Sequence, residues 1–338
     1  MLSSRSQSSS GGMPAIFDRR VKELQRTRAA ADVEANRQSD YLKDEVADRI
    51  VDRLLFLKRD FSHLVDLGGG NGHIARSLAR DRSKEEDEGE RGSTGRPLRE
   101  RIGRMTVTDL SMPLATRDGV SGYGGLAVDR ACVDEESLPF AERSVDAVVS
   151  SLALHWVNDL PGALIQIRRS LVPDGAFLGA MFGGDTLFEL RTSLQLAESD
   201  RHGGIAPRVS PMTDVKDVGS LLNRAGFKLT TIDVEDIVVD YPDLFSLAAD
   251  LHAMGESSAV LARPGGPLSR DSLLAAQAIY RQLHGNPDGT LPATFSVLFM
   301  IGWAPGAATP KPQPRGSGQA SLKDTLEQLK DPKDLGKK

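Results

Sequence analysis

Cysteine is nearly absent: one residue, Cys132, among 338. That excludes an internal disulfide and any cysteine-rich metal site. The six histidines are scattered, with no H-x-x-x-H pair and no H-E-x-x-H. His63 and His73 flank a glycine-rich stretch, but neither has an acid two residues on, so no metal site is expected. No apolar run approaches the roughly 20 residues of a membrane span, and no transmembrane helix is expected. Basic excess is lacking too: 42 Lys and Arg stand against 47 Asp and Glu, for a formal charge of -5. The chain therefore carries no electrostatic footprint for nucleic acid. Its length permits one large domain, or one domain with a substantial insertion.

What is present is concentrated in Leu64-Val65-Asp66-Leu67-Gly68-Gly69-Gly70-Asn71-Gly72-His73-Ile74-Ala75. A short apolar segment ends in an acid, a glycine turn follows, and a helix start comes next. Glycines at a tight strand-to-helix turn let backbone pass close to a ligand where a Cβ would clash. A dinucleotide fingerprint needs a third glycine where His73 stands. A phosphate-cradling loop needs Gly-Lys-Ser/Thr, which does not follow. The remaining pattern, Asp-x-Gly-x-Gly-x-Gly, suits the amino-acid end of S-adenosylmethionine, whose ammonium matches an acid at the strand end. An ordinary tight turn is the plain alternative.

Along the chain, residues 18–57 read as mostly helical, with Val46, Ile50, Val51, Leu54 and Leu55 at helix spacing. Residues 83–104 are packed with charges and glycine and read as a solvated insertion. Strands are expected at 105–109, 125–128, 145–151 and 176–182, with a helix over 160–171. Later come helices at 187–198 and 215–225, a strand over 227–239, and a final strand at 294–301. Two helices, 243–254 and 269–283, fall between those last strands and read as a lid within 242–292. Alternation of this kind predicts an α/β fold, an open and largely parallel sheet with helices on both faces. The domain is expected to span 16–303, with a disordered tail over 304–338. Residues 1–15, serine-rich with Arg5 and no acid, read as a transit-peptide remnant or a disordered end.

Open sheets of this type bind ligands beyond the carboxyl ends of their strands. Asp66 ends the first expected strand, Asp109 the second, and Asp134 with Glu135 follow the third. A carboxylate after the second strand can accept both ribose hydroxyls. An acid after the third can take an adenine amine, between Leu138 and Phe140. The plain alternatives are a helix cap for Asp109 and surface charge for Asp134 and Glu135. Asp109 lies further from the glycine loop than the usual ~20 residues, a distance the hydrophilic insertion explains.

Asp66–Gly72, Leu138-Pro139-Phe140 and Leu154-His155-Trp156-Val157-Asn158-Asp159 resemble the class I S-adenosylmethionine-dependent methyltransferase superfamily. Tyr41–Val46, Ser150–Trp156, Gly179–Leu187, Met254-Gly255-Glu256-Ser257 and Met300-Ile301-Gly302-Trp303 narrow the likeness. They are similar to the methyltransferase-like arginine hydroxylases that assist assembly of mitochondrial respiratory complex I. The likeness runs over roughly 16–303. It implies a seven-stranded Rossmann-like core and a mitochondrial matrix location peripheral to the inner membrane. The implied partners are a complex I subunit carrying the target arginine, and other assembly factors. By motif, Asp66, Gly68, Gly70 and Gly72 would hold the methionyl part, Asp109 the ribose, and Asp134 with Glu135 the adenine. The chain departs from the familiar Gly-Arg-Gly-Tyr with Gly70-Asn71-Gly72-His73, and by its acidic insertion.

Ser150, His155 and Trp156 after the fourth strand are expected to face the ligand, with Asp185 and Glu189 after the fifth. An arginine substrate is permanently charged and wants a planar carboxylate, which singles out Asp185, Glu189 and Glu256. His155 is the candidate base. Each has a plain alternative as a helix-end charge, a lid charge or a packed histidine. The residues alone point to methyl transfer, since no iron triad, flavin or haem signature is present. The resemblance points to arginine hydroxylation, or to a non-catalytic chaperone role. The helix after Asp185 is also similar to carboxyl methyltransferases of biotin synthesis.

Overall fold

The computed structural model describes residues 15–80, 96–119, 123–262 and 268–310. The serine-rich start, most of the expected insertion and the tail beyond 310 lie outside these residues.

Three helices come first: α1 (Arg19–Ala31), α2 (Val33–Gln38) and α3 (Tyr41–Leu55). They divide the single helical region expected over 18–57. Asp18 and Asp32 cap α1 and α2 through their carboxylates. On α3, Leu42, Val46, Ile50 and Leu54 recur every four residues and are all buried, so one face seats on the sheet. The order continues β1 (Phe61–Leu67), α4 (His73–Ala79), β2 (Ile102–Asp109), α5 (Met112–Ala115), β3 (Val128–Cys132) and β4 (Val145–Ser151). It closes with α6 (Leu160–Ser170), β5 (Leu171–Phe182), α7 (Phe188–His202), α8 (Val215–Ala225), β6 (Lys228–Tyr241), α9 (Leu244–Ala253), α10 (Arg270–His284) and β7 (Leu291–Trp303).

Two expectations are corrected here. The third strand lies at 128–132, not 125–128, because Gly124 and Gly125 take positive φ and form the turn before it. The last stretch of the expected insertion is ordered: a 3-10 turn over Leu98–Arg101 leads into β2. Arg101 is buried there, donating to the carbonyls of Leu57 and Arg59.

The seven strands form one sheet in the order β3-β2-β1-β4-β5-β7-β6. The first five pair in parallel, and β7 runs antiparallel to both β5 and β6. That arrangement is the Rossmann-like sheet expected of the methyltransferase fold. One core packs α3, α4, α7 and α10 on one face, and a second packs α6 and α8 on the other. Chain order reverses across β1, between β2 on one side and β4 on the other. The crevice above their carboxyl ends is the switch point where such sheets hold ligands. α9 and α10 sit between β6 and β7, where the late helices were expected.

Candidate functional site

The glycine loop joins β1 to α4. Gly68, Gly70 and Gly72 have φ of 70°, 54° and 91°, the left-handed region where side chains are strained. Space forbids a side chain as well. A Cβ on Gly68 would come 2.2 Å from that of Ala153, and one on Gly69 would lie 2.2 Å from the Asp66 carboxylate. Asp66 therefore lies directly beneath the loop. It is fully buried, and neither carboxylate oxygen has a hydrogen-bond partner among the described residues. Burial, reinforced by Asp109 and opposed by Arg130, pushes its pKa up to about 8. A buried acid with two orphaned oxygens is costly. The ammonium of an amino-acid ligand would relieve that cost.

Asp109 ends β2 and is buried. One oxygen accepts the Ser111 amide at 2.8 Å and the other faces Arg26 at 3.2 Å. Arg26 reaches Glu135 at 3.1 Å with the same nitrogen, and Glu135 is also paired with Arg19. Asp134, less buried, accepts from Arg19 at 2.8 Å. Burial raises the pKa of Asp109 against the pull of Arg26. Glu135 is driven the other way, because the two guanidinium groups outweigh its burial.

A second cluster adjoins the loop. Glu256, on the segment after α9, accepts the Trp156 indole N–H at 2.7 Å and meets His155 Nε2 at 3.4 Å and Lys43 Nζ at 3.3 Å. Although burial raises its pKa, Lys43, His155 and Lys22 hold Glu256 well below the ordinary carboxylate range. Burial lowers the pKa of His155, so the ring is neutral at pH 7. Glu256 then draws the proton to Nε2, which leaves Nδ1 a buried acceptor with no partner among the described residues. Lys22 is completely buried; its amine donates to the carbonyls of Gly255 and Ser257 and sits 3.3 Å above the Trp156 ring.

A methyltransferase-domain family model matches residues 36–232. "Arginine-hydroxylase NDUFAF5, mitochondrial" of Danio rerio is 43% identical over 320 residues, covering 95% of this chain and 92% of that protein. The Homo sapiens protein of the same name is 45% identical over 307 residues, covering 91% and 82%. The chain belongs to the NDUFAF5 arginine-hydroxylase family. It is also similar to the malonyl-[acyl-carrier protein] O-methyltransferase of Halorhodospira halophila, at 33% over 281 residues, covering 82% of this chain and 87% of that one. Two crystal structures show the fold alone. Bacillus subtilis YcgJ has a TM-score of 0.50 at 13% identity, and a candidate methyltransferase of Bacillus halodurans has 0.51 at 15%. Each covers 77% of this chain and 98% of its own.

In this NDUFAF5-family chain, the structure gathers Asp66, Gly68, Gly70, Gly72, Asp109, Asp134 and Glu135 around the strand ends, and joins His155 to Glu256. Three expected residues stand apart from these two groups, Ser150 among them although it lies at the end of β4. Glu189 is buried on α7, where its oxygens accept from the Thr294 amide and hydroxyl and tie that helix to β7. Asp185 is exposed, with no side-chain partner among the described residues. Ser150 gives its hydroxyl to the Leu67 carbonyl at 2.8 Å, stitching β4 to β1. The structure adds Arg19, Lys22, Arg26 and Lys43, which the sequence reading passed over. For the three on α1 the signal is a cationic stripe at 19, 22 and 26, the spacing of one helix face.

Proposed function

We propose that this chain binds S-adenosylmethionine across the ends of β1, β2 and β3 and hydroxylates an arginine of a complex I subunit in the mitochondrial matrix. The observation that carries the cofactor reading is Asp66: a buried carboxyl with no partner among the described residues, beneath a cradle that only glycine fits. Asp66 and the glycine loop would hold the methionyl ammonium, Asp109 the ribose hydroxyls, and Asp134 the adenine amine through the oxygen Arg19 leaves free. When bound, the ligand would supply a sulfonium with an electrophilic methyl, which serves methyl transfer; hydroxylation of an arginine C–H bond would take its oxygen from dioxygen and two electrons from an external reductant, with water as the second product. Glu135 shares the adenine assignment, although both its oxygens already hold arginines of α1.

His155 and Glu256 are the proposed reactive pair. Neutral His155 can accept a proton at Nδ1, while ionised Glu256 orients the ring through Nε2. Residues 242–292 would act as a lid, since the segment they contain delivers Glu256 to the pocket. Asp185, exposed and with no side-chain partner among the described residues, is proposed to receive a guanidinium, and Glu189 and Ser150 are proposed as supports of the site's frame. The partner set is the complex I subunit and fellow assembly factors, met at the inner membrane from the matrix. Among the described residues no helix is long and apolar enough to cross a membrane.

Calorimetry with S-adenosylmethionine against NAD tests the cofactor: heat from the first and none from the second is expected, and the reverse overturns the reading. Mass spectrometry of the partner's arginines tests the reaction, with a gain of about 16 Da for hydroxylation and about 14 Da for methylation. Kinship with the O-methyltransferases supports methylation as the second reading. An unmodified partner whose assembly still depends on this chain would leave the chaperone role.

A further inference from the structure

Helix α1 packs on the sheet's crest with three cations. Arg19, Lys22 and Arg26 fall on one face, and each reaches a different part of the site. A helix normally buries an apolar stripe. Here Lys22 and Arg26, 0% and 3% exposed, share the buried face with Ala29 and Ala30, so charge and carbonyl contacts stand where large apolar side chains usually would.

The placement conflicts with an occupied nucleoside site. Asp109 has two oxygens; Ser111 takes one and Arg26 the other. Each oxygen could accept a further bond, but a ribose diol would have to approach the edge of Asp109 that the Arg26 guanidinium now covers. Among the described residues, the space left between Arg26, Asp109, Lys43, Glu256 and the glycine loop is about 10 Å³, against the several hundred typical of a ligand pocket. Arg26 also has a second acid on the same nitrogen, Glu135. It can release Asp109 without becoming an unpaired buried charge.

Resting on the S-adenosylmethionine reading, the geometry points to Arg26 as an internal competitor for the nucleoside: it occupies the ribose acid, Asp109, and α1 must loosen before an adenosyl ligand can enter. Glu135 is the clasp that retains the helix through Arg19. Arg26 is a positioning residue with a negative effect on affinity, because only the fraction of molecules with Asp109 free can bind. For a minor state populated at about one in ten, the upper end of the usual range, removing the competitor tightens binding about tenfold.

The test is calorimetry with S-adenosylhomocysteine on the full chain and on Arg26→Gln, joined to hydrogen exchange of α1 in the unmodified chain. The expected result is binding by both, about tenfold tighter for the variant, and a loss of protection over Arg19–Ala31 when ligand is added. Binding by the unmodified chain, with equal or weaker binding by the variant, overturns the inference and leaves the cofactor reading standing. So does a gain of α1 protection on binding, a readout that still decides if the variant fails to fold. Absence of binding by both proteins overturns the inference and the cofactor reading together.

Discussion

Replacing Asp66 by asparagine should stabilise the empty protein and cripple its ligand binding, two effects of opposite sign from one side chain. Its folded-state pKa is pushed up to about 8 from an ordinary 3.8. The stability it contributes is fully present below pH 3.8 and is lost as pH rises through about 8. At about 1.4 kcal/mol per unit, the folded chain at pH 7 pays about 4 kcal/mol to keep this acid protonated. Asparagine removes that cost, while its own unpaired amide returns about 1–3 kcal/mol of penalty. The net gain is about 1–3 kcal/mol, or a melting temperature higher by several degrees. The ammonium of the ligand, meanwhile, loses a charge-assisted bond worth about 1.5–3 kcal/mol, and affinity falls about 10- to 100-fold. Below pH 8 the unmodified chain must release a proton to bind. Calorimetry at pH 7 in two buffers of different ionisation enthalpy should therefore show close to one proton released, and none for Asp66→Asn. A variant that melts lower, binds as tightly, or still releases the proton would refute this account of Asp66.

Gly68→Ala combines a left-handed φ with a Cβ 2.2 Å from that of Ala153; it should cost about 2–4 kcal/mol in denaturant unfolding and abolish cofactor heat. A loss under about 0.5 kcal/mol would mean that the loop has room to yield. Glu189→Gln should weaken the α7–β7 tie by about 1–2 kcal/mol and leave cofactor affinity unchanged. A changed affinity at unchanged stability would place Glu189 in the site instead.

The parallel half of the molecule was legible because its signals are local. Apolar runs ending in Asp66 and Asp109, and glycines with obligatory positive φ, announce strands and turns within a few residues. The third strand escaped because Val128-Asp129-Arg130-Ala131-Cys132 carries charge along an edge of the sheet, where burial does not impose an apolar run. In the site, the acids could be placed from strand order alone. Their partners could not, since Arg26 meets Asp109 across 83 residues and Lys22 meets Gly255 across 233. Glu189 misled for a related reason: it follows the right strand but faces β7, a neighbour defined only by the sheet order.

The amine of Lys22 has a consequence for how the chain is made. Its anchors at Gly255 and Ser257 leave the ribosome more than 230 residues later, on the order of 10–50 seconds at ordinary elongation speeds. Until then α1 is held through Arg19, Arg26 and Thr27 by Asp134, Glu135, Asp109 and Ser111, and the Lys22 amine lacks its two carbonyls. The fastening of α1 is thus completed late, and a chain interrupted before Gly255 would carry β1 to β6 without the carbonyls that seat Lys22.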